Sequence, residues 1–162
     1  MSLINGIDCK MYRLTSGTRA SWGTLDAASE CNTGSAPASL SEVDNVKDVS
    51  LKIDPVESDV TTRRNRKWKA TAIVMLDAGI EFEMPLDHDD ANYQAFRTAA
   101  LKRTTIAMAI LDGDKATAGS EGLWADWSIV FNRDEALEET GMVSFTLKPG
   151  YSSVAPEWVQ VS

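Results

Sequence analysis

The chain is poor in the residues that carry out chemistry. Histidine occurs once, as His88, and cysteine twice, as Cys9 and Cys31. Two thiols make no disulfide framework, and nothing around them has metal-ligand spacing, so both read as small apolar side chains in a reducing compartment. His88 lies among Asp87, Asp89 and Asp90. Four consecutive positions cannot all aim at one ion from a helix or a strand, and an acidic cluster favoured by a helix dipole accounts for them better. A Ser-His-Asp triad is open to any chain with many serines. However, the sequence contains no Gly-x-Ser-x-Gly elbow, no glycine-rich phosphate loop and no Cys-x-x-Cys. The expectation is a protein that is not an enzyme and takes no cofactor and no metal.

Other absences narrow the setting. No run approaches the roughly 20 apolar residues of a membrane helix, and Met1 to Gly6 shows neither a basic n-region nor an apolar h-region. Synthesis in the cytoplasm without membrane binding is the expectation. There is no basic surplus: 16 Lys and Arg face 24 Asp and Glu, a net charge of −8. That argues against a free-standing nucleic-acid binder. It suits a surface on which DNA does not stick, and equally suits solubility alone.

What the chain does have is strand patterning interrupted by a polar arm. Val49, Leu51 and Ile53 alternate with Asp48, Ser50 and Lys52, and Ile80, Phe82 and Met84 alternate with Glu81 and Glu83. Period-two alternation marks strands with one face on a core. Between these segments, residues 54–67 form an arm, acidic at Asp54, Glu57 and Asp59, then basic at Arg63, Arg64, Arg66 and Lys67. Hairpin loops usually need about two to five residues, so an arm of this length points to contact with a neighbouring subunit. The basic residues also flank Trp68, a pattern that nucleic-acid surfaces use. Complementarity between the acidic and basic limbs is the favoured account.

Elsewhere, residues 7–14 read as a first strand. Residues 15–45 lose periodicity around isolated Trp22, Leu25 and Leu40. This is either a surface loop that a partner orders or a plain flexible loop. A helix is predicted over about 89–102, with Asp87 as N-cap and Tyr93, Phe96, Ala100 and Leu101 as its apolar stripe. Thr105 to Leu111 is nearly all apolar and reads as a central strand covered on both faces. Two alternating strands follow, centred on Leu123–Phe131 and Val143–Leu147, the second stopped by Pro149-Gly150. The terminus with Val154, Trp158, Val159 and Val161 packs on its own domain or on a neighbour. No internal repeat or composition shift divides the chain, so 1–162 reads as a single domain. The predicted fold is mainly β (α+β): an antiparallel β-sandwich or half-barrel flanked by one α-helix, with a long charged hairpin arm.

In this order the elements resemble the tail tube proteins of long-tailed bacteriophages. The resemblance is carried by Asn45 to Leu51, the arm from Glu57-Ser58-Asp59 to Arg63-Arg64, the strand Ile80 to Met84 and the helix Asp89 to Lys102. Ile106 to Gly113, Gly122 to Phe131 and Val143 to Pro149 continue it. It implies a β-sandwich whose copies close into hexameric rings, stacked into a virion tail tube through which DNA passes without specific binding. The type VI secretion tube protein looks similar in fold. On this reading Glu57, Asp59, Arg63, Arg64 and Arg66 belong to the assembly interface, and Glu83 and Asp126 are possible lumen-facing residues. Partners would be further copies of the chain and other tail proteins. Rival readings are another ring-forming tail component, such as a terminator, a secretion-tube subunit, and a small-molecule-binding β domain built on Trp68, Trp124 and Trp127.

Overall fold

The computed structural model describes residues 10–132 and 141–162. Its strands are β1 (Lys10–Leu14), β2 (Thr24–Asp26), β3 (Cys31–Gly34), β4 (Leu40–Glu42), β5 (Lys47–Asp59) and β6 (Thr71–Pro85). Helix α1 (Ala91–Lys102) comes next, then β7 (Thr105–Leu111), β8 (Glu121–Asn132), β9 (Met142–Pro149) and β10 (Glu157–Val161). The predicted first strand is found from Lys10; residues 7–9, with Cys9, lie outside the described residues.

β8 organises the sheet because its length exceeds that of its neighbours. β7 lies along one edge from Thr105↔Ser128 to Leu111↔Gly122. The other edge is shared: β10 pairs with the first half, Glu121 to Trp124, and β9 with the second, Trp127 to Asn132. One branch continues through β9 to β6 and β5, the other through β10 to β3 and β2, while β1 and β4 extend the β7 side. All pairings are antiparallel except β3 with β10. Gly122 sits at the crowded fork, where a Cβ would come within 1.6 Å of the Ile110 carbonyl oxygen.

The apolar run of β7 is explained by two cores, one on each face. Ile106, Met108 and Ile110 enter a core with Phe82, Phe96, Trp127 and Phe145. Ala107, Ala109 and Leu111 enter a second with Tyr12, Trp22, Trp124, Val159 and Val161. Phe145 is the hub of the first core, stacked on Phe82 at 5.4 Å and on Phe131 at 5.3 Å and tilted against Phe96 at 5.5 Å. The C-terminal strand therefore packs on its own domain. The expectation of a covered central strand holds.

Three expectations are corrected. The 15–45 segment is not an aperiodic loop: it holds β2, β3 and β4, and Trp22 is buried with its indole N–H on the Gly34 carbonyl at 3.0 Å. The small side chains that hide its periodicity are what let it lie tightly against the sheet. At Gly23, with φ +56°, a Cβ would meet the Thr33 carbonyl oxygen at 2.1 Å.

The helix cap is Asp90 rather than Asp87. The Asp90 carboxylate accepts the N–H groups of Asn92 and Tyr93, whereas Asp87 accepts that of Asp89 in the turn before the helix. The buried stripe is Tyr93, Phe96 and Ala99, and Leu101 is 72% exposed. At 3.6 residues per turn Leu101 lies roughly 140° around the helix from Phe96, which places it in solvent.

The arm, third, is a longer hairpin with a shorter loop than its polarity suggested. β5 and β6 stay paired from Lys47↔Glu83 out to Asp59↔Thr71, so the connection is 60–70 and not 54–67. Polar residues at 54, 57 and 59 are compatible with a strand here because no core lies against this half of it.

Candidate assembly surface

β6 changes character at Gly79. From Ile80 to Glu83 it lies between β5 and β9, Met84 and Pro85 pair with β9 alone, and its odd-and-even alternation buries Ile80, Phe82 and Met84. From Thr71 to Gly79 it pairs with β5 alone. The distal hairpin is thus a free two-stranded ribbon, a structure that is marginal by itself in water. Its sequence is also wrong for water. Ile73, Val74, Met75 and Leu76 are all exposed, from 55% to 68%, with Val56 exposed on the partner limb and Val60 just beyond its end. A register shift opposite Val56 and Glu57 marks a bulge in this stretch.

The loop at the tip is built, not slack. Thr62 caps a short turn over Arg63–Asn65: its hydroxyl accepts the Arg64 N–H at 3.3 Å, and the Asn65 side chain accepts the Thr62 N–H at 2.8 Å. Arg66 leaves this turn at φ +54°. Thr61 closes the ladder, its hydroxyl accepting the Ala70 N–H at 2.9 Å. The Asp59 carboxylate accepts the Thr61 N–H at 2.9 Å, and its hydrogen bonds with Thr61 hold its pKa below the ordinary aspartate value. The tip therefore presents Arg63, Arg64, Arg66, Lys67 and Lys69 on a defined backbone around Trp68, which is 71% exposed with the Lys67 ammonium 5.8 Å from its ring centroid.

Of the residues expected at an assembly interface, Glu57, Asp59, Arg63, Arg64 and Arg66 are all exposed on this hairpin. Glu57 and Asp59 lie on the β5 limb, opposite Ile73 and Thr71. The arginines lie at or beside the turn. Glu83 is half-buried on β6, opposite Ser144 of β9, on the face of the sheet away from the Phe145 core.

Asp126 is in another environment. Its carboxylate accepts from Arg19 Nε at 3.1 Å and from the Ser152 hydroxyl at 2.5 Å. The Arg19 side chain is fully buried. It also donates to the carbonyls of Val154 and Ala155 and lies 5.8 Å from the Trp124 ring centroid. Sequence reasoning missed Arg19, because an isolated arginine in a Ser- and Gly-rich stretch carries no periodic signal.

The tryptophans named for a ligand-binding domain do not meet. Trp124 and Trp127 are fully buried in different cores, their indole N–H groups on the carbonyls of Ala20 and Met108 at 2.9 and 3.1 Å. Trp68 stands at the tip of the hairpin. Among the described residues, no group of three or more His, Cys, Asp or Glu is placed to hold a metal ion, and no helix is long and apolar enough to cross a membrane.

No protein-family model and no curated protein matches the chain. Solved structures do. A chain in the virion of a native gene transfer agent particle superposes with a TM-score of 0.58 at 11% identity, covering 95% of this chain and 97% of that one. A chain in the tail of an empty gene transfer agent particle, with C6 symmetry, superposes with a TM-score of 0.58 at 12% identity, covering 91% and 95%. The fold is shared with these chains of a gene transfer agent virion and tail. At this level of identity the likeness lies in the order and packing of the elements across nearly the whole chain, and individual side chains of the hairpin are read from this chain alone.

Proposed function

We propose that this protein is the repeating structural subunit of a phage tail tube, a virion component made in the host bacterial cytoplasm. Its copies would close into hexameric rings, and the rings would stack around a lumen for DNA passage. The observation that carries this reading is the distal β5–β6 hairpin: a free ribbon with four consecutive exposed apolar residues, on a fold shared with a chain of a C6-symmetric tail. Exposed contiguous apolar surface on an unpaired strand is a liability unless another chain covers it.

The ionic residues Glu57, Asp59, Arg63, Arg64 and Arg66 would fix register between subunits rather than supply most of the affinity. Glu83 is the acidic residue we retain for the lumen wall, since the charge of Asp126 is already opposed by Arg19. A negative wall repels the phosphate backbone and lets DNA slide. No catalytic step enters this function.

Negative-stain electron microscopy of the purified protein over a concentration series, with light scattering in parallel, tests the reading. Hollow rings that stack into tubes are expected. Single rings that never extend would favour a terminator-like tail component, and a monomer with a ligand-responsive core would return the question to a binding domain.

A further inference from the structure

The charges of this chain are separated along one strand. The loop between Val60 and Ala70 carries Arg63, Arg64, Arg66, Lys67 and Lys69 and no acidic residue. Removing those five cations from a chain of net charge −8 leaves −13 on the remainder. None of the five has a carboxylate within ion-pair distance among the described residues, whereas nearer the body Lys52 of β5 pairs with Asp54 and Lys148 of β9 with Asp77, each at 3.2 Å.

β6 starts beside this tip at Thr71 and ends at Pro85, fifteen residues on, a span of about 50 Å at roughly 3.3 Å per residue. At that far end Glu81, Asp87 and Asp89 are exposed and Glu83 is half-buried. Among the described residues, Lys52 and Lys148 line one cleft with Glu81, Lys47 pairs in register with Glu83, the Arg97 guanidinium lies over the Tyr93 ring of α1, and Arg13 donates to Asn92 and acts on Asp90, while Asp87 and Asp89 stay exposed in the turn. The hairpin tip and the turn that follows β6 thus carry opposite charge.

We propose that the basic hairpin tip of one copy docks on the acidic turn between β6 and α1 of a second copy, at Asp87 and Asp89. This rests on the tube-subunit reading and names its axial contact. The partner is a second copy because the complementary surface is on the page, in the same chain. The polarity is what an open stack requires: a head-to-tail contact between two different surfaces leaves one tip and one acidic end free after every addition, and so repeats without closing. Trp68, beside the basic groups, would be covered as the tip seats. The exposed apolar run behind the tip lies along the same ribbon and would be screened by the copy that receives it. A contact of this kind is steered by charge and weakens with salt, as the screening length falls from about 10 Å at 0.1 M to about 3 Å at 1 M.

Charge reversal with exchange tests the pairing. The variants are Arg63→Glu/Arg64→Glu at the tip and Asp87→Lys/Asp89→Lys at the acidic end. All four positions are exposed, so circular dichroism and thermal melts should match the parent. Each variant alone should need a subunit concentration at least about tenfold higher to form tubes, equivalent to about 1.4 kcal/mol. An equimolar mixture of the two should assemble again, because each tip then meets an end of opposite charge. Assembly blocked by the tip variant and untouched by the acidic-end variant would overturn this acceptor while leaving the tube-subunit reading standing. Binding of duplex DNA that the tip variant loses, with tube formation intact, would overturn it in favour of a nucleic-acid site. A parent protein that never associates at any concentration would overturn both this proposal and the tube-subunit reading.

Discussion

Asp54 and Asp77 face each other across the β5–β6 ladder, two like charges directly in register at the point where the hairpin leaves the body. Like charges in this position weaken a ladder. Each is answered by a lysine at 3.2 Å, Asp54 by Lys52 and Asp77 by Lys148 of β9. All four side chains are more than half exposed, so the compensation is screened by water and worth little. Asp77→Thr, which removes the clash and supplies a β-branched residue, should leave the melting temperature unchanged or raise it slightly. Lys148→Glu should lower stability, by at most about 0.5 kcal/mol at low salt, with the difference fading at 1 M NaCl. A large loss in the Asp77 variant would show that the pair has a role in the monomer beyond charge balance.

The Arg19–Asp126 pair is the opposite case, because Arg19 is buried. Breaking a buried pair by removing one partner strands the other, at a cost of about 3–5 kcal/mol. Arg19→Met should therefore destabilise strongly, and it should loosen the 152–155 segment whose carbonyls and hydroxyl converge on this site. Asp126→Asn should cost less, since an amide still accepts from Arg19. A double-mutant cycle by urea denaturation should give a coupling of about 1–3 kcal/mol. Additive effects would mean that the two residues act separately.

Legibility in the sequence followed periodicity and failed where other forces set the structure. β7 was readable because an unbroken apolar run needs two covered faces, and Ile106 and Ala107 do point into different cores. The proximal half of β6 was readable because Ile80, Phe82 and Met84 alternate against one core. The hairpin boundaries were not readable: Asp54, Glu57 and Asp59 look like loop residues, and only pairing with β6 makes them strand. β2 to β4 escaped because strands of three or four residues are shorter than any period can register, and backbone close approach at Gly23 organises them instead. Of the candidate surface, the charges were visible beforehand. The exposure of Ile73 to Leu76 was not, since an apolar run reads as core until a structure shows nothing against it.

Asp90 links the helix start to pH. Burial pushes its pKa up, but hydrogen bonds from Asn45, Asn92 and Tyr93 and the nearby Arg13 outweigh that, and the net shift is downward from 3.8. A carboxylate depressed in the folded state contributes stability that is fully present above its unfolded pKa and is lost as pH falls through the folded value. Asp90→Ala should cost about 1 kcal/mol at pH 7, the usual loss of a cap. The difference between parent and variant should shrink below about pH 4. Asp90→Asn, which keeps the cap geometry, should retain most of the stability at neutral pH and flatten the acid dependence. Thermal melts from pH 7 to pH 3 would measure all three, and a constant gap between parent and Asp90→Ala across that range would refute the linkage.

The exposed run separates folding from assembly more cleanly than any charge does. Ile73 and Met75 are 64% and 62% exposed and touch neither core, so Ile73→Ser/Met75→Ser removes almost no burial from the monomer. Its stability should change by about 0.5 kcal/mol or less per site, the ordinary range for surface substitutions. If another copy covers this ribbon, the same change removes apolar area from every repeat of the contact, at roughly 25 cal/mol per Å² buried. Tube formation should then fail or shift to much higher concentration while the melting curve is preserved. Trp68 supplies the optical readout, since it is 71% exposed in the free chain, whereas Trp158 is 36% exposed and Trp22, Trp124 and Trp127 are already buried. Its emission should move to shorter wavelength as tubes form, and Trp68→Phe should abolish most of the change. A stable variant that assembles like the parent would mean that the run faces solvent in the tube as well, and that the hairpin works through its charged tip alone.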